Sequence, residues 1–178
     1  MVLAETCVEG VFVLEPEKAR DERGYFARMW SADEFEHAGL CSAWVQSSVS
    51  FNTRRGTLRG MHYQVEPHRE VKLVSCTAGA VFDVVIDLRA DSPSYRRWFG
   101  VELTADNRCT LYVPEGLAHG FITLVDDSVV EYHMSEYYHP DAARGVRWSD
   151  PAFAIQWPAE PAIINERDAS YADFMDAS

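Results

Sequence analysis

Apolar and polar residues alternate along most of the chain, in short runs. The run 80–89 is the clearest case, and the side chains on one of its faces are Phe82, Val84, Ile86 and Leu88. A period of two residues is typical of a β-strand with one buried face. On its other face Asp83 lies between apolar neighbours, so it points either into a polar cavity or to solvent at an edge. Turn-forming residues separate such runs roughly every ten residues, which predicts an all-β sandwich or barrel.

The predicted strands follow one another with a single helical interruption. They occupy residues 10–14, 43–52, 58–64, 71–76, 80–89, 98–103, 110–113, 121–125 and 129–134. Ser31, followed three residues later by Glu34, is typical of a capping box and predicts a short N-terminal helix that ends at Gly39. After His139 repeated prolines exclude a continuous element, so we expect an irregular C-terminal wrap around the barrel. No repeat or linker divides the chain, and we expect one domain over residues 1–178.

The stretch 56–64, GTLRGMHYQ, concentrates functional groups: a guanidinium, an imidazole, a phenol and an amide. Regular alternation would place His62 on one face with Leu58 and Gly60, and Arg59 on the other. A histidine near the end of a strand can face a cavity and be held rigidly there. Because its charge changes near neutral pH, such a histidine suits the role of a general base.

Charge and cysteine content narrow the class of protein. The formal net charge is -12 and the pI is near 4.8, which argues against nucleic acid or an anionic membrane as the main partner. A local basic cluster can still bind an anionic small molecule. The four cysteines are widely spaced, and no signal peptide or long apolar run is evident, so we expect a reduced, cytoplasmic protein.

The sequence offers little support for a metal centre or for a nucleophilic active site. A cupin-type metal centre needs two histidines two residues apart on one strand, but the residue two positions after His62 is Gln64. His62 and His119, the latter in a turn that leads into a strand, are too few ligands, and we expect no metal. No serine or cysteine stands in an elbow-like turn, and no glycine loop could cradle a phosphate.

Proton-transfer chemistry remains. His62 could act as a base, Tyr132 as an acid and Lys72 as a cation for an anionic intermediate. Each residue has an ordinary alternative: Tyr132 as a core or edge tyrosine, Lys72 as a snorkelling edge residue, and Asp168 as a charged loop residue near the C-terminus.

The combination resembles the dTDP-4-dehydrorhamnose 3,5-epimerase family of sugar-nucleotide epimerases. The matching segments cover nearly the whole chain in order, and those around His62 and His119 are the most specific. They are 21–26 (DERGYF), 58–64 (LRGMHYQ), 72–74 (KLV), 83–89 (DVVIDLR), 92–93 (SP), 114–121 (PEGLAHGF), 137–138 (YY), 150–151 (DP), 157–158 (WP) and 167–168 (RD).

The resemblance implies a cupin-type jelly roll that acts as a homodimer without a cofactor. Its substrate would be a nucleoside-diphosphate 4-keto-6-deoxyhexose, and the reaction would be epimerisation next to the C4 ketone. In the implied mechanism His62 is the base, Asp168 its dyad partner, Tyr132 the acid on the opposite face, and Lys72 the cation near the C4 oxygen.

The resemblance also implies residues that bind the substrate or support the site. Arg23, Gln46 and Arg59 would contact the diphosphate, and Phe26 and Tyr138 would contact the substrate. His119 and Asp83 would support the site.

Two departures from the family pattern concern specificity. Arg28 stands at a position tied to nucleoside recognition, and the Gln-Asp-Asn run of the family is Gln46-Ser47-Ser48 here. The motifs do not distinguish inversion at C3, at C5 or at both carbons. A cupin 3,4-ketoisomerase and a non-catalytic sugar-nucleotide binding module are the alternatives; the His62, Tyr132 and Asp168 set favours epimerisation, because only that reaction needs groups on both faces of the sugar.

Overall fold

Within residues 1–175, the part of the chain that the computed structural model describes, strands make up nearly all of the regular structure. The elements are β1 (Val2–Glu5), β2 (Phe12–Glu15), β3 (Lys18–Asp21), β4 (Gly24–Ala27), α1 (Ala32–His37), β5 (Gln46–Asn52), β6 (Leu58–Gln64), β7 (Lys72–Ala78), β8 (Ala80–Asp87), β9 (Trp98–Thr104), β10 (Thr110–Val113), β11 (Leu117–Thr123), β12 (Ser128–Met134), β13 (Ala143–Gly145) and α2 (Glu166–Ala169).

Two antiparallel sheets face each other. One has six strands in the order β1-β2-β10-β7-β12-β5, and the other has five in the order β13-β6-β11-β8-β9. The hairpin β3-β4 forms a separate two-stranded sheet. From β5 to β13 the chain crosses between the sheets at every step except the hairpin β8-β9, as in a jelly roll. The predicted all-β, cupin-type jelly-roll fold is confirmed.

The apolar faces of the strands meet between the sheets. Val74 and Leu111 of the six-stranded sheet pack with Val85 and Phe121 of the five-stranded sheet in one buried cluster. The alternation predicted for β8 is also confirmed, because Val85 lies in this inner cluster whereas Val84 belongs to a second cluster. That second cluster lies on the outer face of the five-stranded sheet.

The C-terminal tail covers this outer face, as the sequence predicts. Phe153 and Val146 are buried against Met61 and Val84, and Trp157 packs beside them. On the other side of the molecule, Phe35 of α1 covers the outer face of the six-stranded sheet. Each sheet is thus buried on both faces over part of its area.

The predicted capping box is wrong in detail. The helix α1 does start after Ser31, but the Ser31 side chain caps no backbone N–H. Its hydroxyl contacts Asp33 instead, and Glu34 forms an ion pair with Arg28 at 3.1 Å. Gly39 does end the helix, with a positive φ of 70° and its N–H donated to the carbonyl of Glu36.

Further elements differ from the prediction, and β1, β3, β4 and β13 lie outside the predicted strands. His119 lies inside β11 rather than in a turn before it, because the strand begins at Leu117. A short helix, α2, interrupts the irregular tail, and the Asn165 side chain accepts the N–H of Asp168 at 2.6 Å as its N-cap. None of the helices formed by residues 1–175 has the length and apolar character needed to cross a membrane.

Candidate active site

A cavity of about 350 Å³ is lined by side chains from both sheets. The five-stranded sheet contributes His62, Arg59 and His119, and the six-stranded sheet contributes Lys72 and Tyr132. The helix α2 and the segment after β12 complete the wall. The structure therefore brings together most of the residues singled out from the sequence.

A β-bulge in β6 places Arg59 and His62 on the same face. His119 of β11 pairs with His62, and Phe121 pairs with Arg59, so two residues of β6 oppose only Gly120. The predicted placement of Arg59 and His62 on opposite faces is therefore wrong, since the bulge shifts the alternation by one residue. Gly60, at the bulge, has a positive φ of 139°.

His62 is paired with a buried carboxylate. Its Nε2 lies 2.7 Å from Oδ1 of Asp168, which is 1% exposed. The other oxygen of Asp168 accepts the N–H of Gly60 at 3.1 Å. Burial alone would raise the pKa of Asp168, but the hydrogen bond and charge of His62 and the bond from Gly60 together lower that pKa below its ordinary value. The carboxylate therefore stays ionised and orients the imidazole.

A second histidine-aspartate pair lies beside Tyr132. Nε2 of His119 lies 2.8 Å from Asp83 Oδ1, and both side chains are buried. The ring of His119 meets that of Tyr132 edge-to-face, with centroids 6.1 Å apart. Burial, reinforced by the charge of Asp83, raises the pKa of Tyr132 well above its usual value. Tyr132 therefore keeps its proton at neutral pH.

Lys72 is held by two oxygen atoms. Its Nζ lies 3.0 Å from Oε1 of Glu70 and donates to the carbonyl of His62 at 3.3 Å. The side chains of Lys72 and Glu70 are nearly buried, and both line the cavity. A cation with two fixed acceptors has little freedom to swing away, so its charge stays next to His62.

The polar groups Arg59, Gln46 and Tyr138 also line the cavity. Nε of Arg59 donates to Oδ1 of Asn52 at 2.7 Å. Oε1 of Gln46 accepts the backbone N–H of Tyr138 at 3.3 Å, which ties the segment after β12 to the edge strand β5. The Arg59 guanidinium, exposed yet fixed by Asn52, gives this wall a positive charge suited to an anion.

Arg23 and Phe26 lie elsewhere. They belong to the hairpin β3-β4, and neither is among the residues that line the cavity. Their side chains are open to solvent: that of Arg23 is 85% exposed, and Phe26 is 76% exposed. The Arg23 guanidinium pairs with Asp21 of the same turn, at 3.1 Å from Nε to Oδ2. Within one chain the structure does not bring these two residues to the site.

Known proteins resemble this chain over nearly its whole length. The model of the dTDP-4-dehydrorhamnose 3,5-epimerase family matches residues 5–176. The chain belongs to this family. Its predicted class, a sugar-nucleotide epimerase and therefore an isomerase, is thereby confirmed.

Individual members of the epimerase family are similar to this chain over most of its length. A Shigella flexneri protein named dTDP-4-dehydrorhamnose 3,5-epimerase is 39% identical over 178 residues, or 99% of this chain and 98% of the relative. A crystal structure of the Elizabethkingia anophelis 3,5-epimerase superposes with a TM-score of 0.94 at 36% identity, covering 98% of this chain and 96% of the other. A Streptomyces niveus protein named dTDP-4-dehydrorhamnose 3-epimerase is 38% identical, over 90% of this chain and 78% of the relative. The family thus includes double and single epimerases.

Some residues in or beside this cavity are not predicted from the sequence. Glu70 shares the face of Lys72 because the two are separated by one residue, and that spacing was the available signal. Arg167 lines the cavity next to Asp168. The pKa of the Arg167 guanidinium is raised, chiefly because it hydrogen-bonds to the side chain of Tyr138. Tyr171 packs its ring edge against His62, with centroids 6.2 Å apart. No sequence motif indicates this contact, because only the path of the C-terminal tail brings Tyr171 next to His62.

Proposed function

We propose that this chain epimerises a dTDP-4-keto-6-deoxyhexose, at C3 alone or at C3 and C5, by removing a proton next to the C4 ketone and returning one from the opposite face of the sugar. One observation carries the proposal. His62, which is paired with Asp168 of α2, and Tyr132 come from opposite sheets and line the same cavity. A sugar ring between them would have a base on one face and an acid on the other.

His62 is the proposed base. The ionised Asp168 accepts the proton on Nε2, so the lone pair lies on Nδ1. When Nδ1 takes a proton from the substrate, the imidazolium that forms is stabilised by the carboxylate 2.7 Å away. A positioned base of this kind is worth roughly 10²–10⁴-fold in rate.

Tyr132 is the proposed acid, and Lys72 the proposed oxyanion partner. Because the pKa of Tyr132 is raised, its hydroxyl keeps a proton to deliver. Removing the proton next to the ketone leaves an enolate, whose negative oxygen needs a fixed donor. The ammonium of Lys72, held between Glu70 and the carbonyl of His62, supplies that donor, and such a contact is worth about 3–4 kcal/mol.

The rest of the proposed substrate is anionic. Arg59 and Gln46 at the cavity wall would hold the diphosphate, with Tyr138 against the sugar. This local charge explains how a chain of net charge -12 could bind a sugar nucleotide. Free thiols at all four cysteines fit the proposed reduced, cytoplasmic setting.

We further propose a homodimer in which the hairpin β3-β4 of one copy reaches the cavity of the other. The edge strand β5 exposes Val49 and Phe51 by 64% and 55%, close to the open cavity wall formed by Gln46. Phe26 adds a second exposed apolar side chain on the hairpin. Pairing these surfaces in a two-fold dimer would cover them and would bring Arg23 and Phe26 to a site that they do not line in their own chain.

Subunit mixing tests the dimer separately from the chemistry. Inactive His62→Asn and Arg23→Ala chains are mixed, unfolded and refolded together. If Arg23 acts across the interface, each mixed dimer has one intact site, and about a quarter of the wild-type activity returns. If Arg23 acts within its own chain, every site carries a lesion and no activity returns. Light scattering of Phe51→Asp checks whether the β5 edge holds the dimer.

The variant His62→Asn tests the base. We expect it to bind dTDP with unchanged affinity, measured by calorimetry, and to lose at least about 100-fold in kcat, because the amide cannot take the substrate proton. His37→Asn is the matched control, since His37 lies on α1 and is exposed. Near-normal turnover by His62→Asn would overturn the mechanism. Binding of dTDP without turnover in the wild-type chain would instead favour a binding module.

A further inference from the structure

A cluster of metal-ligand side chains lies outside the cavity lining. It consists of His68, from the loop after β6, and Glu136 and His139, from the segment after β12. Their ligand atoms all lie within 4.8 Å of one another. The proposed mechanism uses none of these three residues. No sequence motif indicates the cluster, because its two histidines are far apart along the chain.

The separations in the cluster are wrong for direct hydrogen bonds. Nδ1 of His68 lies 4.0 Å from Oε2 of Glu136, and Nε2 of His139 lies 3.8 Å from Oε1 of the same carboxylate. Two ligands of one tetrahedral Zn²⁺, with bonds of about 2.0–2.1 Å, lie roughly 3.3 Å apart. The two nitrogen-oxygen separations therefore need to shorten by about 0.5–0.7 Å for the three side chains to share one cation, and all the ligand atoms already lie within 4.8 Å of one another.

The two imidazoles are stacked, with centroids 3.5 Å apart and planes 16° apart. An imidazole binds a metal ion through a lone pair that lies in its ring plane, so one of these nearly parallel rings would turn for both nitrogens to reach the same ion. Neutral imidazole is the form that binds metals. Glu136 contributes a carboxylate to both rings, which gives the cluster two nitrogen ligands and one anionic oxygen ligand.

The backbone that carries the histidines is fixed. The buried side chain of Gln64 donates to the carbonyls of His68 at 3.0 Å and Tyr137 at 3.1 Å. Its Oε1 accepts the N–H of His139 at 2.6 Å. One amide thus joins both segments of the cluster, so the ligands converge on a braced frame and not on two independent loops. About a third of each ligand side chain is exposed, which leaves a way in for an ion: 34% for His68, 31% for Glu136 and 38% for His139.

We propose that His68, Glu136 and His139 form a binding site for a divalent transition-metal ion of the Zn²⁺ class, with water as the fourth ligand. Two imidazoles and one carboxylate select such ions over Mg²⁺ and Ca²⁺, which prefer sites made of oxygen alone. The bound ion would fasten the loop after β6 to the segment that carries Tyr138 in the cavity wall. Its role is to brace this wall, and it takes no part in proton transfer.

The test uses the full chain after chelator treatment. Zn²⁺ is titrated in competition with a chromophoric chelator, and we expect one equivalent to bind. His68→Gln, Glu136→Gln and His139→Gln should each weaken binding at least tenfold, whereas the matched surface variant His37→Gln should leave it unchanged. Added Zn²⁺ should raise the Tm of the wild-type chain and of His37→Gln, but not that of His68→Gln.

Several results would overturn the site. These are the absence of stoichiometric binding, equal loss of binding in His37→Gln, or full binding by the His68→Gln/His139→Gln double variant. The isosteric Glu136→Gln variant guards against misfolding, since circular dichroism of the metal-free protein should match the wild type. Titration with Mg²⁺ checks the ion class: binding as tight as that of Zn²⁺ would contradict the proposal.

Discussion

In the proposed mechanism, Asp168 determines which nitrogen of His62 can take a proton. The carboxylate lies 2.7 Å from Nε2 and is almost fully buried. An amide in its place would fit the same space, but it could donate to Nε2 as readily as accept from it. The histidine would then lose its fixed tautomer and the negative charge that stabilises its protonated form.

Asp168→Asn should therefore lower kcat by about 10²–10⁴-fold with little change in KM. Steady-state kinetics on the keto sugar measures both parameters. Glu166→Gln is the control, because Glu166 is an exposed carboxylate on the same short helix. A kcat within threefold of the wild type would show that Asp168 only supports the fold.

At this scale the sequence was informative where a residue belongs to a local motif. His62, Lys72 and His119 stand in recognisable segments, and all three line the cavity. Glu70 lies only two residues from Lys72 but was overlooked, since an acidic residue before a strand usually faces solvent. Tyr171 could not be predicted, because its contact with His62 depends on where the tail runs.

Among the elements, the bulge in β6 has the largest consequence for the site. It puts Arg59 and His62 on one face, and it depends on a close approach of two strands. A Cβ at Gly120 would lie 2.7 Å from the carbonyl oxygen of Arg59 and 2.9 Å from the Cα of Gly60. Real Cβ atoms do not come this close to backbone, so β6 and β11 would have to separate.

Gly120→Ala should lower the free energy of unfolding by about 1–3 kcal/mol and reduce kcat, because the shift displaces both His62 and His119. Urea denaturation and kinetics measure the two effects. Gly39→Ala is the matched control: Gly39 has a positive φ of 70° and nothing within 4 Å of the added Cβ. It should cost stability but leave kcat unchanged. Unaltered kcat in Gly120→Ala would contradict the importance of the bulge.

Strand periodicity predicted most of the elements but not this irregularity. The alternation along β8 is regular, and its two faces pack as expected in two different clusters. In β6 the register shift arises from pairing with β11, a strand far away in sequence, so alternation alone gives the wrong face for Arg59. The helix α1 was found from its flanking residues, although Ser31 does not cap it.

Over the whole molecule, the proposed base and the proposed acid lie on opposite sheets, and a buried charge network fixes the connection between β8 and β9. Asp87 at the end of β8 is fully buried and accepts hydrogen bonds from Arg89, Ser92 and Ser94. Burial alone would raise its pKa, but these side-chain bonds, together with a bond from the backbone N–H of Arg89, outweigh burial and lower the pKa from 3.8 to about 2.

The depressed pKa makes a stability prediction with a definite sign. A carboxyl that is harder to protonate when folded stabilises the fold above its unfolded pKa of 3.8, and this contribution is lost as the pH falls towards about 2. Its size is about 2 kcal/mol. The free energy of unfolding is measured for the wild type and for Asp87→Asn from pH 6 to pH 2. The two values should converge as the pH falls. The exposed neighbour variant Asp91→Asn should run parallel to the wild type throughout.

Deuterium exchange tests the central claim most directly. The protein is incubated with dTDP-4-keto-6-deoxyglucose in deuterated water, and C3 and C5 are followed by NMR. We predict deuterium at C3, alone or together with C5, in an inverted product, with Tyr132→Phe losing inversion more than exchange and His62→Asn losing both. The absence of exchange at either carbon in the wild type, or full exchange in His62→Asn, would contradict proton abstraction by His62.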